Sequence, residues 1–279
     1  RLLISAPPPS AGGVALAQSL GMLQHLPWQK ADTVQRAHLV VEVLRRAYRD
    51  RGLLGDPDYV NNPSKYLLSA DYLQQLAMGI DARYATPSSS LPPAPAWREG
   101  DHTTHFSLID REGNAVAATL SINLPFGAAF TVPGTGVLLN DEMDDFAADL
   151  QGQNAYGLSG SAANIIAPGK RPLSSMSPTF IESPNDFAAF GTPGGSRIPS
   201  MVLLAILQYL QGAPVASWPA VPRFHHQYLP DRLEYEPGAF SETEVAALKA
   251  RGHHPEMVSR QYGNQQVLLW NKRDNHVET

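Results

Sequence analysis

Cysteine is absent from the 279-residue chain, which excludes thiol catalysis and cysteine-ligated zinc and leaves the redox compartment undetermined. Long apolar runs are absent too. The longest, Met201-Val202-Leu203-Leu204-Ala205-Ile206-Leu207, falls far short of the roughly 20 residues a membrane span needs. No basic run occurs and the formal net charge is −5, a balance that argues against nucleic acid as a partner. Neither a signal-peptide pattern nor an internal repeat is present. What remains is a chain long enough for one large domain or two small ones, each with a sizeable core.

The first third reads as helical. Ser10, after Pro7-Pro8-Pro9 in an irregular opening stretch, is placed to cap a helix over 11–23. Asp32 with Gln35 forms a capping-box pattern for a helix over 33–49, whose Val34, Ala37, Val41, Leu44 and Tyr48 share one face. A third helix is expected over 69–78, followed by a Pro/Ser-rich linker over 87–95. Beyond Thr103 the pattern changes to short β runs at 104–110, 115–123, 179–182, 187–192 and 265–270. Helices are expected from Arg197 or Ser200 to Leu210 and over 242–251. The second has Ser241 and Glu244 as its capping box and Gly252 as its stop. Helices first, then hairpins with a helix between them, indicate a layered α+β fold. The natural division falls at the linker, giving a mostly helical region 1–102 and a region 103–279 that carries the chemistry.

Thr103 closes the linker and opens the first hairpin. A threonine hydroxyl needs a neighbouring base. One solution makes the threonine a new chain terminus whose own α-amine, with a pKa of about 7.7–8.0, accepts the proton. Cleavage after His102 would create that terminus; otherwise Thr103 is an ordinary β-branched residue at a strand start. Ser121 falls on the second strand of the hairpin, either facing Thr103 or solvated. Gly191-Thr192-Pro193-Gly194-Gly195-Ser196 lies between a strand and a helix. It is either a tight turn or a place where backbone N–H groups meet an anion. Asn140-Asp141-Glu142-Met143-Asp144-Asp145 is acidic but lacks the order of an EF-hand loop. The adjacent pairs His225-His226 and His253-His254 point to opposite faces if extended, which does not favour a metal site.

Several segments together resemble the γ-glutamyltranspeptidase family. They are Thr103-Thr104-His105, Asp110-Arg111-Glu112-Gly113-Asn114-Ala115-Val116-Ala117 and Gly136-Val137-Leu138-Leu139-Asn140-Asp141-Glu142-Met143-Asp144-Asp145-Phe146. Lys170-Arg171-Pro172-Leu173-Ser174-Ser175-Met176-Ser177-Pro178, Gly191-Thr192-Pro193-Gly194-Gly195-Ser196-Arg197 and Pro222-Arg223-Phe224-His225-His226-Gln227 continue the series. Upstream, Pro7-Pro8-Pro9-Ser10-Ala11-Gly12-Gly13 matches the later part of that family's large subunit. The matches follow the family's order along essentially the whole chain. With Arg1 as first residue and this motif so early, the resemblance leads to the expectation of a fragment covering the end of the large subunit and most of the small one.

The resemblance implies an N-terminal-nucleophile hydrolase sandwich, two stacked antiparallel sheets between helical layers, incomplete on its N-terminal side. It implies that an inactive precursor cleaves itself between His102 and Thr103, giving a large and a small subunit from one chain. A γ-glutamyl–Thr103 ester would then pass its acyl group to water or an amino acid. By the same resemblance Ser121 holds the Thr103 amine or hydroxyl, and Gly194 and Gly195 form the oxyanion hole. Asn123, Glu142 and Asp145 hold the donor's α-ammonium, Ser174 and Ser175 its α-carboxylate, and Tyr156 lies in a lid loop. No cofactor or metal is implied, and the location implied is periplasmic or secreted. The rival readings are a cephalosporin acylase or polyglutamate-processing relative of the same fold, and a catalytically silent remnant or binding scaffold. The family's carboxylate-binding arginine precedes the part found here.

Overall fold

Asp32 caps its helix as expected, accepting a hydrogen bond from the Gln35 backbone N–H at 2.7 Å. The Gln35 side chain completes no box, because its Oε1 accepts from Arg251 Nη1 at 2.5 Å while its Nε2 donates to the Ala82 carbonyl. The structure, a computed structural model, describes residues 1–92, 103–147, 161–259 and 261–279. In chain order the elements are β1 (Leu2–Ser5), α1 (Gly12–Leu23), α2 (Thr33–Arg51), α3 (Ser64–Leu67), α4 (Ala70–Met78), β2 (Thr103–Ile109) and β3 (Ala115–Ser121). There follow β4 (Thr179–Glu182), β5 (Asp186–Gly191), α5 (Ile198–Leu210), β6 (Phe224–His225), β7 (Leu233–Tyr235), α6 (Glu242–Ala250), β8 (Pro255–Met257), β9 (Gln266–Asn271) and β10 (His276–Glu278).

Two further expectations need correction. The opening stretch is not irregular, since Leu2–Ser5 pairs antiparallel with β4. The cap position of α1 is Ala11, while the Ser10 hydroxyl turns to the Met176 carbonyl. Further on, Ser241 and Glu244 make the full reciprocal capping box of α6.

Helix α5 is apolar nearly all round and is buried accordingly. It lies between α1 and β5. Leu16, Met22, Leu39, Leu44, Met201, Leu203, Ile206 and Phe190 fill one core drawn from both sides of the linker. Phe190 stacks on Trp218, with ring centroids 5.4 Å apart. The main sheet runs β1-β4-β5-β9-β10, antiparallel throughout. A small third sheet, β6-β7-β8, holds one parallel pair that the sequence pattern did not suggest.

The β2–β3 hairpin packs across β5 and β9, so two sheets are stacked on the helices. Its register follows from the turn, where the Asp110 carboxylate accepts from the backbone N–H groups of Glu112 and Asn114 and Gly113 has φ +86°. Thr103 is thereby opposite Ser121, and His105 opposite Thr119. This odd-numbered face looks inward, with the His105 ring lying on Gly191. The other face carries Phe106, Leu108, Val116 and Leu120, all exposed, Leu120 to 53%. A helical layer over that face does not occur among the described residues.

Candidate active site

Thr103 is half-buried at the open end of the hairpin, and its hydroxyl donates to Ser121 Oγ at 3.2 Å. The same Ser121 oxygen accepts the Asn123 backbone N–H at 2.9 Å. Asn123 is buried in the left-handed region, φ +67°, a conformation asparagine tolerates better than most residues. The strand therefore ends at Ser121 rather than at 123. Asn123 Nδ2 reaches the Asp141 carbonyl at 3.2 Å, and the Asp141 carboxylate accepts the Leu124 N–H at 3.0 Å. One hydrogen-bonded chain thus runs from the threonine hydroxyl to the acidic loop. A hollow of about 330 Å³ opens beside it, lined by Thr103, Thr104, Leu120, Ser121 and Ile122.

Glu142 and Asp145 bracket a single 3-10 turn, with Asp145 buried. Burial, with the Asp141 charge beside it, raises the Glu142 carboxyl above its ordinary pKa. Glu142 Oε1 is buried and has no hydrogen-bond partner among the described residues. A cation donor would complete it. Asp145 is tied through its carbonyl to Asn164 Nδ2 at 2.7 Å, and Asn164 Oδ1 accepts the Leu173 N–H at 2.9 Å. This amide holds the acidic turn to the segment carrying Ser174 and Ser175.

That serine segment is docked on the start of the chain. Ser174 exchanges backbone hydrogen bonds with Pro9 and Ala11. Ser175 is fully buried and its hydroxyl accepts from Arg51 Nη2 at 3.0 Å. Arg51, at the end of α2, escaped the sequence reading: nothing in its spacing marks it, and only the fold brings a cation behind the serine pair.

Gly194 and Gly195 lead into α5 with φ +136° and +56°, values that glycine adopts without steric cost. The turn is held from outside. Tyr48 donates to the Ser196 carbonyl, and Ser196 Oγ donates to Gln227 Oε1 at 2.9 Å. Its backbone N–H groups are of the kind that stabilise an oxyanion. Tyr156 lies outside the described residues, as does His102. His225 and His226 do not converge on each other: His225 pairs with Ser200 Oγ and Gln227, His226 with Asp231 and the Tyr228 N–H.

A larger hollow of about 720 Å³ lies elsewhere, between β1, α1 and α5, and is walled mainly by Leu3, Leu20, Leu23, Trp28, Leu73 and Ile206. Its polar lining is Arg1, Gln24 and Gln29, with no hydroxyl, carboxylate or imidazole side chain, so Thr103 remains the candidate nucleophile.

The γ-glutamyltranspeptidase family model matches residues 1–279. The chain is 41% identical over 255 residues to a glutathione hydrolase proenzyme of Pseudomonas sp. (strain A14), covering 90% of this chain and 44% of that protein. It is 40% identical over 274 residues to the glutathione hydrolase proenzyme of Escherichia coli (strain K12), covering 95% and 47%. The chain thus spans about half the length of these curated relatives. Among solved structures, γ-glutamyltranspeptidase from Pseudomonas nitroreducens complexed with L-DON aligns with a TM-score of 0.58. Its identity is 40%, over 63% of this chain and 92% of that one. Cephalosporin acylase from Bacillus halodurans aligns over 99% of this chain and 48% of its own length with a TM-score of 0.81; at 21% identity it speaks for the fold alone. The stacked sheets are those of an N-terminal-nucleophile hydrolase, and the chain belongs to the γ-glutamyltranspeptidase family.

Proposed function

We propose that the chain carries the catalytic half of a γ-glutamyl acyl-transfer enzyme. In this reading the peptide bond between His102 and Thr103 is cut, and the Thr103 amide becomes an α-amine able to take the hydroxyl proton. Thr103 Oγ attacks the γ-carbonyl carbon of a glutathione-like donor, the carbonyl oxygen gathers charge toward Gly194 and Gly195, and the C–N bond breaks as the leaving amine takes the proton. Water or an amino-acid amine then attacks the Thr103 ester, restoring the hydroxyl. Ser121 orients the nucleophile. Asn123, Glu142 and Asp145 take the donor's α-ammonium, Ser174 and Ser175 its α-carboxylate with Arg51 behind them, and Tyr156 closes over the site.

The observation that carries this reading is the continuous path from Thr103 Oγ through Ser121 to Asn123 and Asp141, next to the buried Glu142 oxygen. It ties the nucleophile and a cation-seeking carboxylate to one frame. The exposed outer face of the hairpin is, on the same reading, where the rest of a family-length protein packs, as a large-subunit partner from the same precursor. A periplasmic or secreted location accords with it, and no helix among the described residues is long and apolar enough to cross a membrane.

The second reading is a catalytically silent scaffold. The two are separated by incubating the complete protein, rather than this part alone, with a γ-glutamyl anilide and with its glutaryl counterpart, which lacks the α-amine. The enzyme reading expects release of aniline from the first far faster than from the second. Release from neither supports the scaffold, and equal release from both removes the ammonium-binding role.

A further inference from the structure

We infer that His105 is a positioning residue, a bolt between the strand that carries the nucleophile and the strand that carries the Gly194-Gly195 turn. This rests on the functional reading above and adds the device that sets the spacing of its two parts. Thr103 and His105 are two residues apart on β2 and so share its inward face. Gly191 ends β5, three residues before Gly194. The His105 ring lies against the Gly191 backbone so closely that a Cβ built there would overlap the imidazole. Gly191 contributes no side chain there, so the imidazole alone separates the two backbones at that contact.

The ring is also fixed in its own plane. Its Nδ1 is 2.8 Å from Thr119 Oγ1, on the paired strand, and its Nε2 is 3.0 Å from Ser107 Oγ, on its own strand. Burial holds the imidazole at a pKa of about 4, so near neutrality it is uncharged, with one nitrogen donating and the other accepting. Hydroxyls can serve either role, and the pair of them fixes the ring without an ionic partner. On the inward face Ser107, Ala115, Ala117, Thr119 and Ser121 offer little bulk, and the one large apolar side chain, Ile109, sits beside the turn at the end of β2 away from Thr103. The stacked histidine is therefore the principal spacer near Thr103. A larger residue at 191 would push the hairpin off the sheet, and with it Thr103.

The test is a mutant cycle in the full chain: Gly191→Ala, His105→Ala and the pair. A displacement of about 1 Å at a reacting group can cost roughly 10²-fold, so Gly191→Ala should lower kcat for a γ-glutamyl donor by about that factor. KM should stay within about twofold, since the donor's two charged ends are held elsewhere. Once the ring is gone the added methyl has room, so the pair should be no worse than His105→Ala alone. Losses that multiply would overturn the bolt. Thr119→Val, which adds no bulk, should lower kcat about tenfold through one lost buried hydrogen bond, again at constant KM; an unchanged kcat would count against the role.

Amide hydrogen exchange in the same variants reads the bolt without turnover. Gly191→Ala should speed exchange along β2 and β3 and leave α2 and α5 protected, and the pair should match His105→Ala. If wild type shows no turnover but the exchange pattern is coupled, the functional reading fails and the bolt stands. If hairpin exchange is indifferent to Gly191→Ala, the bolt fails whatever the activity.

Discussion

In the five-stranded sheet, Phe190 turns into the helices and stacks on Trp218, wholly shielded from water. In the hairpin stacked upon that sheet, Phe106 turns away from it and stays 45% exposed. The same residue type serves two purposes. The sheet and its helices hold the molecule together by burial, whereas the hairpin meets them through a neutral histidine, fixed by two of the hairpin's own hydroxyls, lying on a bare glycine backbone. Burial is non-directional and tolerates small shifts, while hydrogen bonds and ring contacts do not. Precision is therefore concentrated where the proposed nucleophile sits, and cohesion where the apolar side chains are.

The sharpest way to break this contrast is at Thr103. Thr103→Ala should lower γ-glutamyl release by roughly 10⁴-fold or more, with no measurable change in the urea midpoint, because the half-buried side chain contributes little to cohesion. Steady-state kinetics and denaturation on the same preparation check both halves. Phe190→Ala should do the reverse to stability, costing about 3–5 kcal/mol through lost burial and a cavity beside Trp218. A loss under about 1 kcal/mol would mean that the core is not where the structure puts it.

The contrast is legible in the sequence to different depths. The hairpin, its turn and the Thr103–Ser121 register follow from period-two patterning and a polar Asp-Arg-Glu-Gly-Asn turn, which are local properties. The caps at Asp32 and Ser241 are equally local. Strand β1 was hidden because four residues beside a proline run carry no readable period, and its partner lies far along the chain. Strands β6 to β8 hold only two or three residues each. The Arg51–Ser175 bond and the His105–Gly191 contact are tertiary, and no spacing announces them.

A third prediction concerns acid. His226 is buried, with Nε2 3.1 Å from Asp231 Oδ1, in a network where Arg45 also contacts Asp231 and Ser88. His253 is buried with Nε2 2.8 Å from His38 Nδ1. Burial lowers His226 to about 4 and His253 to about 3. Their unfolded value is about 6.5, so between these limits the unfolded chain binds more protons. Stability should be complete above about pH 6.5 and decline toward pH 4. Urea midpoints across that range should fall in wild type and flatten in His226→Asn. A pH-independent midpoint would contradict the burial of these rings.

The smallest effect belongs to the outer face. Phe106→Ser should change the stability of this chain by less than about 0.5 kcal/mol, since the ring already meets water. A large loss, read from the same urea titration, would show that something covers it.

The central claim is tested most directly by trapping the acyl-enzyme. The chain is incubated with a γ-glutamyl donor, quenched in acid, digested and mapped by mass spectrometry. The account predicts a peptide whose first residue is Thr103, free at its amine and carrying one glutamyl unit as an ester on its hydroxyl. A glutamyl adduct on any other residue, or turnover by a chain still continuous through His102-Thr103, would contradict it.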